Sequence, residues 1–228
     1  MIYKVEWDTD FFGYPVGRYD FNSKKDIFVD EEFITDSSPF SLIYIFSNTQ
    51  INSNLITLVD QKLTFKKKVD LSKKIVSNPV FFNPTIHSKL DLLNLVYLSG
   101  NHSRFKTDVN FKNAEFQKLY ELWINKSLQN DTYSQIIVKF INRKLAGFVS
   151  FSFKDFDAKI ELIAVDECFQ GKGIGAELLS QVEEIASDKM CENLFVETQG
   201  LNLLAIRLYE KYNFTCINKT YIYHFWKQ

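Results

Sequence analysis

The sequence predicts a mixed α/β fold in which helices pack against a sheet with both parallel and antiparallel strands. In the second part of the chain, helical and alternating hydrophobic patterns follow in the order α-α-β-β-β-loop-α-β-α-β. Three of the eight glycines fall within five positions (171–175), between a strand pattern and a helical pattern. All four prolines lie in the first 84 residues, which indicates two differently organised parts. We place the boundary near Gly100 and expect one region over 1–100 and another over 101–228.

The first region has the pattern of a small βαβ unit. SLIYIFS (41–47) is rich in β-forming residues, and KLTFKKKVDL (62–71) alternates like a strand. NSNLITLVDQ (52–61), between them, can form a short helix. We therefore expect strand, helix and strand in this order.

The second region carries the longer elements. Two helices are predicted first, and an antiparallel hairpin around Asn142-Arg143-Lys144 follows them. A third strand leads into the glycine loop, and apolar residues at helical spacing come after it. The predicted helices are 87–100, 111–128, 173–189 and 202–211, and the predicted strands are 133–140, 145–153, 158–165, 193–198 and 215–226.

Composition indicates an ordinary globular protein. Of the 228 residues, 46% are hydrophobic and 24% charged, and the formal net charge of −1 argues against electrostatic binding of nucleic acid or an anionic membrane. No apolar run approaches the roughly 18 residues of a membrane span or the length of a signal sequence. Cys168, Cys191 and Cys216 are odd in number and widely spaced, so we expect free thiols, no metal site and a cytoplasmic protein.

The glycine loop predicts an anion site. Glycines between a strand and a helix let backbone N–H groups converge, and the helix adds free N–H groups and the positive end of its dipole. A phosphate or diphosphate suits such a site. The simpler alternative is a tight turn without a ligand.

Two other phosphate-binding patterns fit the loop less well. Gly171, Gly173 and Ala176 satisfy the dinucleotide pattern GxGxxG/A, and Glu197 follows about 20 residues later. However, DECFQ separates the loop from its strand, a hairpin precedes it, and only 53 residues (176–228) follow. A P-loop is excluded because no Gly-Lys-Ser/Thr occurs.

Two motifs together resemble the GCN5-related N-acetyltransferase (GNAT) superfamily. QGKGIG (170–175) is similar to its Q/R-x-x-G-x-G/A signature, flanked by LIAVDECF and AELL. NLLAIRLYEKYNF (202–214) is similar to its N-x-x-A-x-x-x-Y-x-x-x-G-F segment, except that Asn213 replaces the glycine. Asn tolerates the left-handed conformation, so we expect the turn to persist. The resemblance covers roughly 101–228 and implies the GNAT fold.

The resemblance also implies acetyl-CoA as the co-substrate and a set of site residues. Backbone groups before the loop would contact the pantetheine and the acetyl carbonyl, and the loop would hold the diphosphate of the coenzyme. Tyr209 would act as the acid toward the departing thiolate, with a core aromatic as the alternative. Asn202 is expected to cap the following helix and is also a candidate coenzyme contact. The candidate coenzyme residues are Leu162, Ile163, Ala164, Val165, Gln170, Gly171, Lys172, Gly173, Ile174, Gly175 and Asn202.

Further segments resemble one branch of the superfamily, which includes dTDP-fucosamine acetyltransferase. This likeness implies acetylation of the 4-amino group of a nucleotide-activated 4-amino-4,6-dideoxy sugar for surface polysaccharide. We expect region 1–100 to form one wall of the acceptor site, with a structural cap as the alternative. The candidate substrate residues are His102, Arg104, Glu161 and Gln199, and the segments are WDTDFFGYPVG (7–17), HSRFKTD (102–108), LYELWINKSL (119–128) and VETQ (196–199).

Several alternatives stay open at this level. Glu161 or a water molecule could be the general base, and a homodimer is compatible with the sequence. The acceptor could instead be a peptide N-terminus, a polyamine or a pseudaminic acid precursor. A non-catalytic module that binds coenzyme A or a nucleotide sugar is the non-enzyme alternative, although the pairing of the loop with Tyr209 favours an enzyme.

Overall fold

The computed structural model describes residues 1–23, 28–74, 77–129 and 134–227. Tyr133, in the predicted strand 133–140, lies outside these residues. The helices are α1 (Glu6–Phe12), α2 (Asp30–Ser37), α3 (Lys89–Ser99), α4 (Arg104–Thr107), α5 (Glu115–Leu128), α6 (Ile174–Asp188) and α7 (Leu203–Lys211). The strands are β1 (Tyr3–Lys4), β2 (Val16–Phe21), β3 (Leu42–Ser47), β4 (Thr57–Lys68), β5 (Val80–Phe81), β6 (Ser134–Ile141), β7 (Lys144–Lys154), β8 (Asp157–Val165), β9 (Asn193–Gln199) and β10 (Thr215–Trp226).

All of these strands join one mixed sheet, which confirms the predicted fold class. The described residues form ten strands in the order β1-β2-β3-β10-β4-β9-β8-β7-β6-β5. The pairs β2–β3 and β8–β9 are parallel, and the other pairs are antiparallel. Strands from before and after Gly100 are interleaved, because β10 lies between β3 and β4. The proposed division at this residue stays a prediction.

The predicted helix over 52–61 is wrong, because its second half, residues 57–61, belongs to β4 and its first half is not helical. This strand pairs with β9 on one side and β10 on the other, so Lys62 lies opposite both Gln199 and Thr220. The backbone hydrogen bonds of 57–61 to β10 outweigh the weak local pattern of a short segment. Region 1–100 nevertheless contains a βαβ unit, formed earlier in the chain by β2, α2 and the parallel β3.

Helices cover both faces of the sheet. On one face, α6 and α7 pack against β7, β8 and β9 with Leu178, Val182 and Tyr209 in their core. On the other face, α3, α4 and α5 pack through Leu92, Phe105 and Leu119. Because Leu42 and Tyr44 of β3 face this second core while Ile43 and Ile45 face α2, α2 lies on the same face as α6 and α7. The sheet therefore separates two layers of helices.

Within the described ranges, no helix combines the length and the apolar character needed to cross a membrane.

Candidate active site

A cavity opens where β8 and β9 part. The two strands pair from Asp157 opposite Asn193 to Ile160 opposite Val196, and they diverge beyond that point. Glu161 is an extra residue in the β7–β8 ladder, since Phe151 pairs with Ile160 and Ser150 with Leu162. A β-bulge of this kind bends its strand and changes its twist. The opening has a volume of about 620 Å³.

The cavity is lined from both faces of the sheet. Tyr209 and Ala205 of α7 line it on one side, and Tyr120 and Trp123 of α5 line it on the other. Two molecules can therefore reach the gap between β8 and β9 from opposite faces. This is the geometry that direct transfer between two bound substrates requires.

The glycine loop presents open backbone at the start of α6. Gly171 has φ +75° and Gly173 has φ +82°, and a Cβ on either would meet nothing within 4 Å. Gly173 is the N-cap of α6, and no side chain among the described residues caps this helix end. The first N–H groups, beginning with that of Ile174, are therefore available to an anion, together with the positive end of the helix dipole.

Two polar side chains of the loop form hydrogen bonds with nearby backbone carbonyls and so stabilise the loop conformation. The Gln170 side-chain amide donates a hydrogen bond to the Val165 carbonyl at 3.0 Å, and the Lys172 ammonium donates one to the Cys168 carbonyl at 3.0 Å. With these side chains engaged, the backbone N–H groups at the start of α6 are the hydrogen-bond donors that can reach a ligand. Gly175 lies where α6 and α7 pack closely, because a Cβ there would lie 3.2 Å from the Leu208 side chain, and its contact with the coenzyme stays a prediction.

The end of β8 contributes both backbone and side chains. Leu162 and Ile163 line the cavity, whereas Ala164 packs in the core under α3 and α5 and Val165 in the core under α6 and α7. The Leu162 N–H donates to Ser150 Oγ at 3.2 Å. Past Ile160 this strand no longer pairs with β9, so its backbone on that side is open toward the cavity.

Tyr209 lies at the cavity on α7. Its side chain is 2% exposed and packs against the rings of Phe65 and Phe214, with centroids 5.6 and 5.8 Å away. Burial raises the pKa of Tyr209 well above its usual value near 10, so the hydroxyl is protonated at neutral pH. It can therefore donate a hydrogen bond to a group in the cavity.

Asn202 and Asn213 delimit this helix as the sequence predicts. The Ala205 N–H donates to the Asn202 side-chain oxygen at 3.2 Å, which confirms Asn202 as the cap of α7. Asn202 also lines the cavity. Asn213 has φ +63°, so the residue that replaces the motif glycine adopts the left-handed conformation and the turn persists.

Arg104 brings a positive charge to the cavity on the face of the sheet opposite to Tyr209. It begins α4, lines the cavity and lies over the rings of Phe105 and Tyr44, 4.4 and 4.9 Å from their centroids. Its buried Nε has no hydrogen-bond partner in the part of the chain that the structure describes. Gln199 also lines the cavity, whereas His102 is exposed and lies outside the lining. The substrate contacts expected of these residues stay predictions.

Three carboxylates face the cavity, and they differ in environment. Burial would raise the pKa of Glu197, but Lys159 at 3.1 Å and Lys62 at 3.0 Å outweigh this effect and lower it. Glu161 accepts a hydrogen bond from Ser152 Oγ at 2.7 Å. For Asp60, burial raises the pKa to about 6, although the positive charge of Arg104 opposes the shift. The pKa of Asp60 is therefore raised toward neutral pH, whereas that of Glu197 is lowered.

Sequence reasoning missed Asp60 because it assigned this residue to a helix. Alternation along β4 would have shown that Asp60 and Lys62 share one face of a strand. Nothing local in the sequence, however, indicates that this face meets Arg104. Among the described residues, no group of three or more His, Cys, Asp or Glu side chains is arranged to hold a metal ion.

Comparisons with known proteins identify the family. The model of the acetyltransferase (GNAT) family matches residues 102–214. The chain is 28% identical over 128 residues to the spore coat polysaccharide biosynthesis protein SpsD of Bacillus subtilis, across 56% of this chain and 44% of that protein. The chain spans less than half the length of the curated relatives it matches.

Solved structures share the fold. A conserved protein of unknown function from Staphylococcus epidermidis superposes with a TM-score of 0.61 at 14% identity, over 94% of this chain and 85% of that one. A GCN5-related N-acetyltransferase from Sphaerobacter thermophilus superposes with a TM-score of 0.57 at 12% identity, over 85% of this chain and 64% of that one. Because the family model matches residues 102–214, which include the glycine loop and α7, this part of the chain belongs to the acetyltransferase (GNAT) family.

Proposed function

We propose that the chain transfers an acetyl group from acetyl-CoA to the 4-amino group of a nucleotide-activated, dTDP-fucosamine-like 4-amino-4,6-dideoxy sugar. The product would serve surface polysaccharide biosynthesis. The observation that carries the proposal is the cavity through the sheet, with Tyr209 on one side and Asp60 and Arg104 on the other. The similarity to a protein named for spore coat polysaccharide biosynthesis supports the choice of acceptor.

The donor side accounts for acetyl-CoA. The diphosphate would bind the N–H groups of the loop over 170–175 and the start of α6. The pantetheine would extend along the open edge of β8, which residues 161–165 form beyond the last pair with β9. The backbone groups of β8 that have no partner on β9 would then form hydrogen bonds with the pantetheine. The thioester would reach the gap beside Tyr209.

The reaction requires a base and a hydrogen-bond donor. A neutral amine attacks the thioester carbon, a C–N bond forms, and the carbonyl oxygen gains negative charge. As the C–S bond breaks, Tyr209 donates to the departing sulfur, and the nitrogen loses its extra proton to a base. We assign that base to Asp60, because its pKa of about 6 leaves it ionised at neutral pH yet able to accept a proton. Glu161 and water are the alternatives.

Region 1–100 would form part of the acceptor site. Asp60 and Lys62 of β4 line the cavity, and Tyr44 of β3 lies beneath the Arg104 guanidinium.

The three thiols are free, with Cys191 buried and the other two exposed, which supports the expected cytoplasmic location.

The first experiment tests the acceptor. We expect mass spectrometry to detect an added acetyl group when the protein is incubated with acetyl-CoA and nucleotide-linked 4-amino sugars of differing nucleotide and stereochemistry. A peptide N-terminus, a polyamine and a pseudaminic acid precursor would be tested in parallel. Turnover of one of these without any nucleotide 4-amino sugar of the first set would contradict the proposal. Binding without steady-state thiol release would indicate a non-catalytic module.

Gly173→Val tests the coenzyme loop. A side chain there would enter open space where the diphosphate is expected, so the KM for acetyl-CoA should rise by about tenfold or more, or roughly 1.4 kcal/mol. Gly13→Val is the matched control, because Gly13 also has a positive φ and open space around its Cβ but lies at the end of α1. Equal acetyl-CoA affinity in the two folded variants would refute the loop assignment.

Tyr209→Phe tests the hydrogen-bond donor. The variant keeps the ring between Phe65 and Phe214 and removes only the hydroxyl. We expect kcat to fall by about 10²-fold or more, with little change in the KM for acetyl-CoA. If this variant keeps nearly full kcat while Tyr209→Ala unfolds, Tyr209 is a packing residue and another group protonates the sulfur.

Asp60→Asn tests the base, because the substitution should lower the activity and raise the stability of the fold. In the unaltered protein kcat/KM should rise with pH through about 6 as Asp60 ionises, and the variant should lose this limb and about 10²-fold or more of its rate. Because the folded-state pKa is raised above 3.8, ionised Asp60 destabilises the fold, and this cost grows as the pH rises from about 4 to 6. The variant should therefore be more stable above pH 6, by roughly 1–3 kcal/mol. If Glu161→Gln removes the pH limb and Asp60→Asn leaves it, Glu161 is the base.

A further inference from the structure

One wall of the cavity has a composition that the acetyl-transfer step does not require. Helices α4 and α5 contribute a cation, an aromatic ring, a second cation and hydroxyl groups to the same surface. We call it the acceptor wall, and it consists of Ser103, Arg104, Tyr120, Trp123, Lys126 and Ser127. It lies on the face of the sheet opposite to α6 and α7.

Arg104 is held in place and forms no ion pair with a described residue, although the charges of Asp60 and Asp8 act on it. Its guanidinium lies against the rings of Tyr44 and Phe105, and it makes no ion pair or hydrogen bond with the residues that the structure describes. A partly buried cation with an unsatisfied N–H is costly unless a ligand completes it. A planar guanidinium stacked on rings is suited to bind the oxygens of a phosphoryl group.

A buried network at the end of α4 fixes this position. Asp108, which follows the helix, accepts hydrogen bonds from His224 Nδ1 at 2.6 Å, from Trp226 Nε1 at 2.8 Å and from the Asn110 N–H at 3.0 Å. Burial lowers the pKa of His224 to about 4, so the ring is neutral and donates through Nδ1. Asp108 therefore ties α4, and with it Arg104, to strand β10.

Trp123 supplies an aromatic surface on the same wall. Its indole is 39% exposed although it lines the cavity, and it packs on the Tyr120 ring with centroids 4.9 Å apart. Lys126 lies almost one turn further along α5, has no ion pair with a described residue and also lines the cavity. Stacking on an exposed aromatic ring beside phosphate-binding cations is how proteins hold nucleotides.

We propose that the acceptor wall binds the nucleoside diphosphate part of the acceptor, with the base on Trp123 and the diphosphate at Arg104 and Lys126. This inference rests on the proposed function and locates one part of that substrate. Asp108, His224 and Trp226 are positioning residues for Arg104. Because Asp60 faces the same cavity, the sugar would extend from the diphosphate toward the gap in the sheet.

Calorimetric titration with UDP, dTDP, inorganic pyrophosphate and uridine tests the wall directly. The whole chain would first be saturated with coenzyme A, so that no nucleotide can occupy the glycine loop. We expect Arg104→Gln to weaken binding of both nucleoside diphosphates and pyrophosphate by about tenfold or more. Trp123→Leu should weaken the nucleoside diphosphates by about tenfold and leave pyrophosphate unchanged. Asp108→Asn should act in the same direction as Arg104→Gln.

Two controls match these variants. Arg18 also lies over an aromatic ring, 4.1 Å from the Phe46 centroid, but it is paired with Asp20 and is absent from the cavity lining, so Arg18→Gln should bind normally. Trp7 is an exposed indole stacked on Phe11 away from the cavity, and Trp7→Phe should also bind normally. Arg104→Lys, which keeps the charge, provides a second variant if Arg104→Gln fails to fold.

The outcomes separate this inference from the proposed function. Absence of nucleoside diphosphate binding, or binding that the Arg104 and Trp123 variants do not weaken, overturns the acceptor wall even if amino sugars are acetylated. Equal affinity for pyrophosphate and UDP would show a phosphate site without base recognition and would also overturn it. Nucleoside diphosphate binding that depends on both residues supports the wall even if no 4-amino sugar is turned over.

Discussion

The site depends on the early parting of two parallel strands. Had β8 and β9 stayed paired beyond Ile160 and Val196, the sheet would be closed and its two layers of helices would share no cavity. The bulge at Glu161 provides the change of direction, because one extra residue turns the end of β8 away from its neighbour. The open edge of β8, the access to Tyr209 and the opening of the cavity toward both faces of the sheet all follow from that separation.

Charge is distributed unevenly around the opening. Glu197 is neutralised by two lysines, whereas Asp60 and Arg104 influence one another without forming an ion pair. The first arrangement links side chains of β4, β8 and β9, and the second places a carboxylate and a guanidinium at the cavity without an ion pair between them. Both depend on β4, a strand from early in the chain, being placed next to β9. The early region is therefore part of the site's electrostatics, whichever acceptor it serves.

The second half of the fold could be predicted from sequence because its signals are local. Helices α6 and α7 have strong apolar periodicity, and the glycine loop lies between unmistakable elements. Residues 52–61 were wrongly expected to form a helix because they carry no such local signal. Strand β4, which begins in this segment, is stabilised by partner strands far away in sequence. Asp60 was missed for the same reason. Arg104 was found by resemblance, but its stacking on Tyr44 and its unpaired Nε among the described residues are properties of packing alone.

The place of β10 in the sheet has a consequence for how the protein is made. This strand is the last of the ten to be synthesised, yet it lies between β3 and β4, which leave the ribosome much earlier. Until β10 arrives, both early strands keep an unpaired edge, and their ladders require contacts between residues more than 150 positions apart, such as Tyr223 and Leu58. These strand edges therefore stay open until residues 215–226 have been synthesised, and open edges of this kind are prone to aggregation.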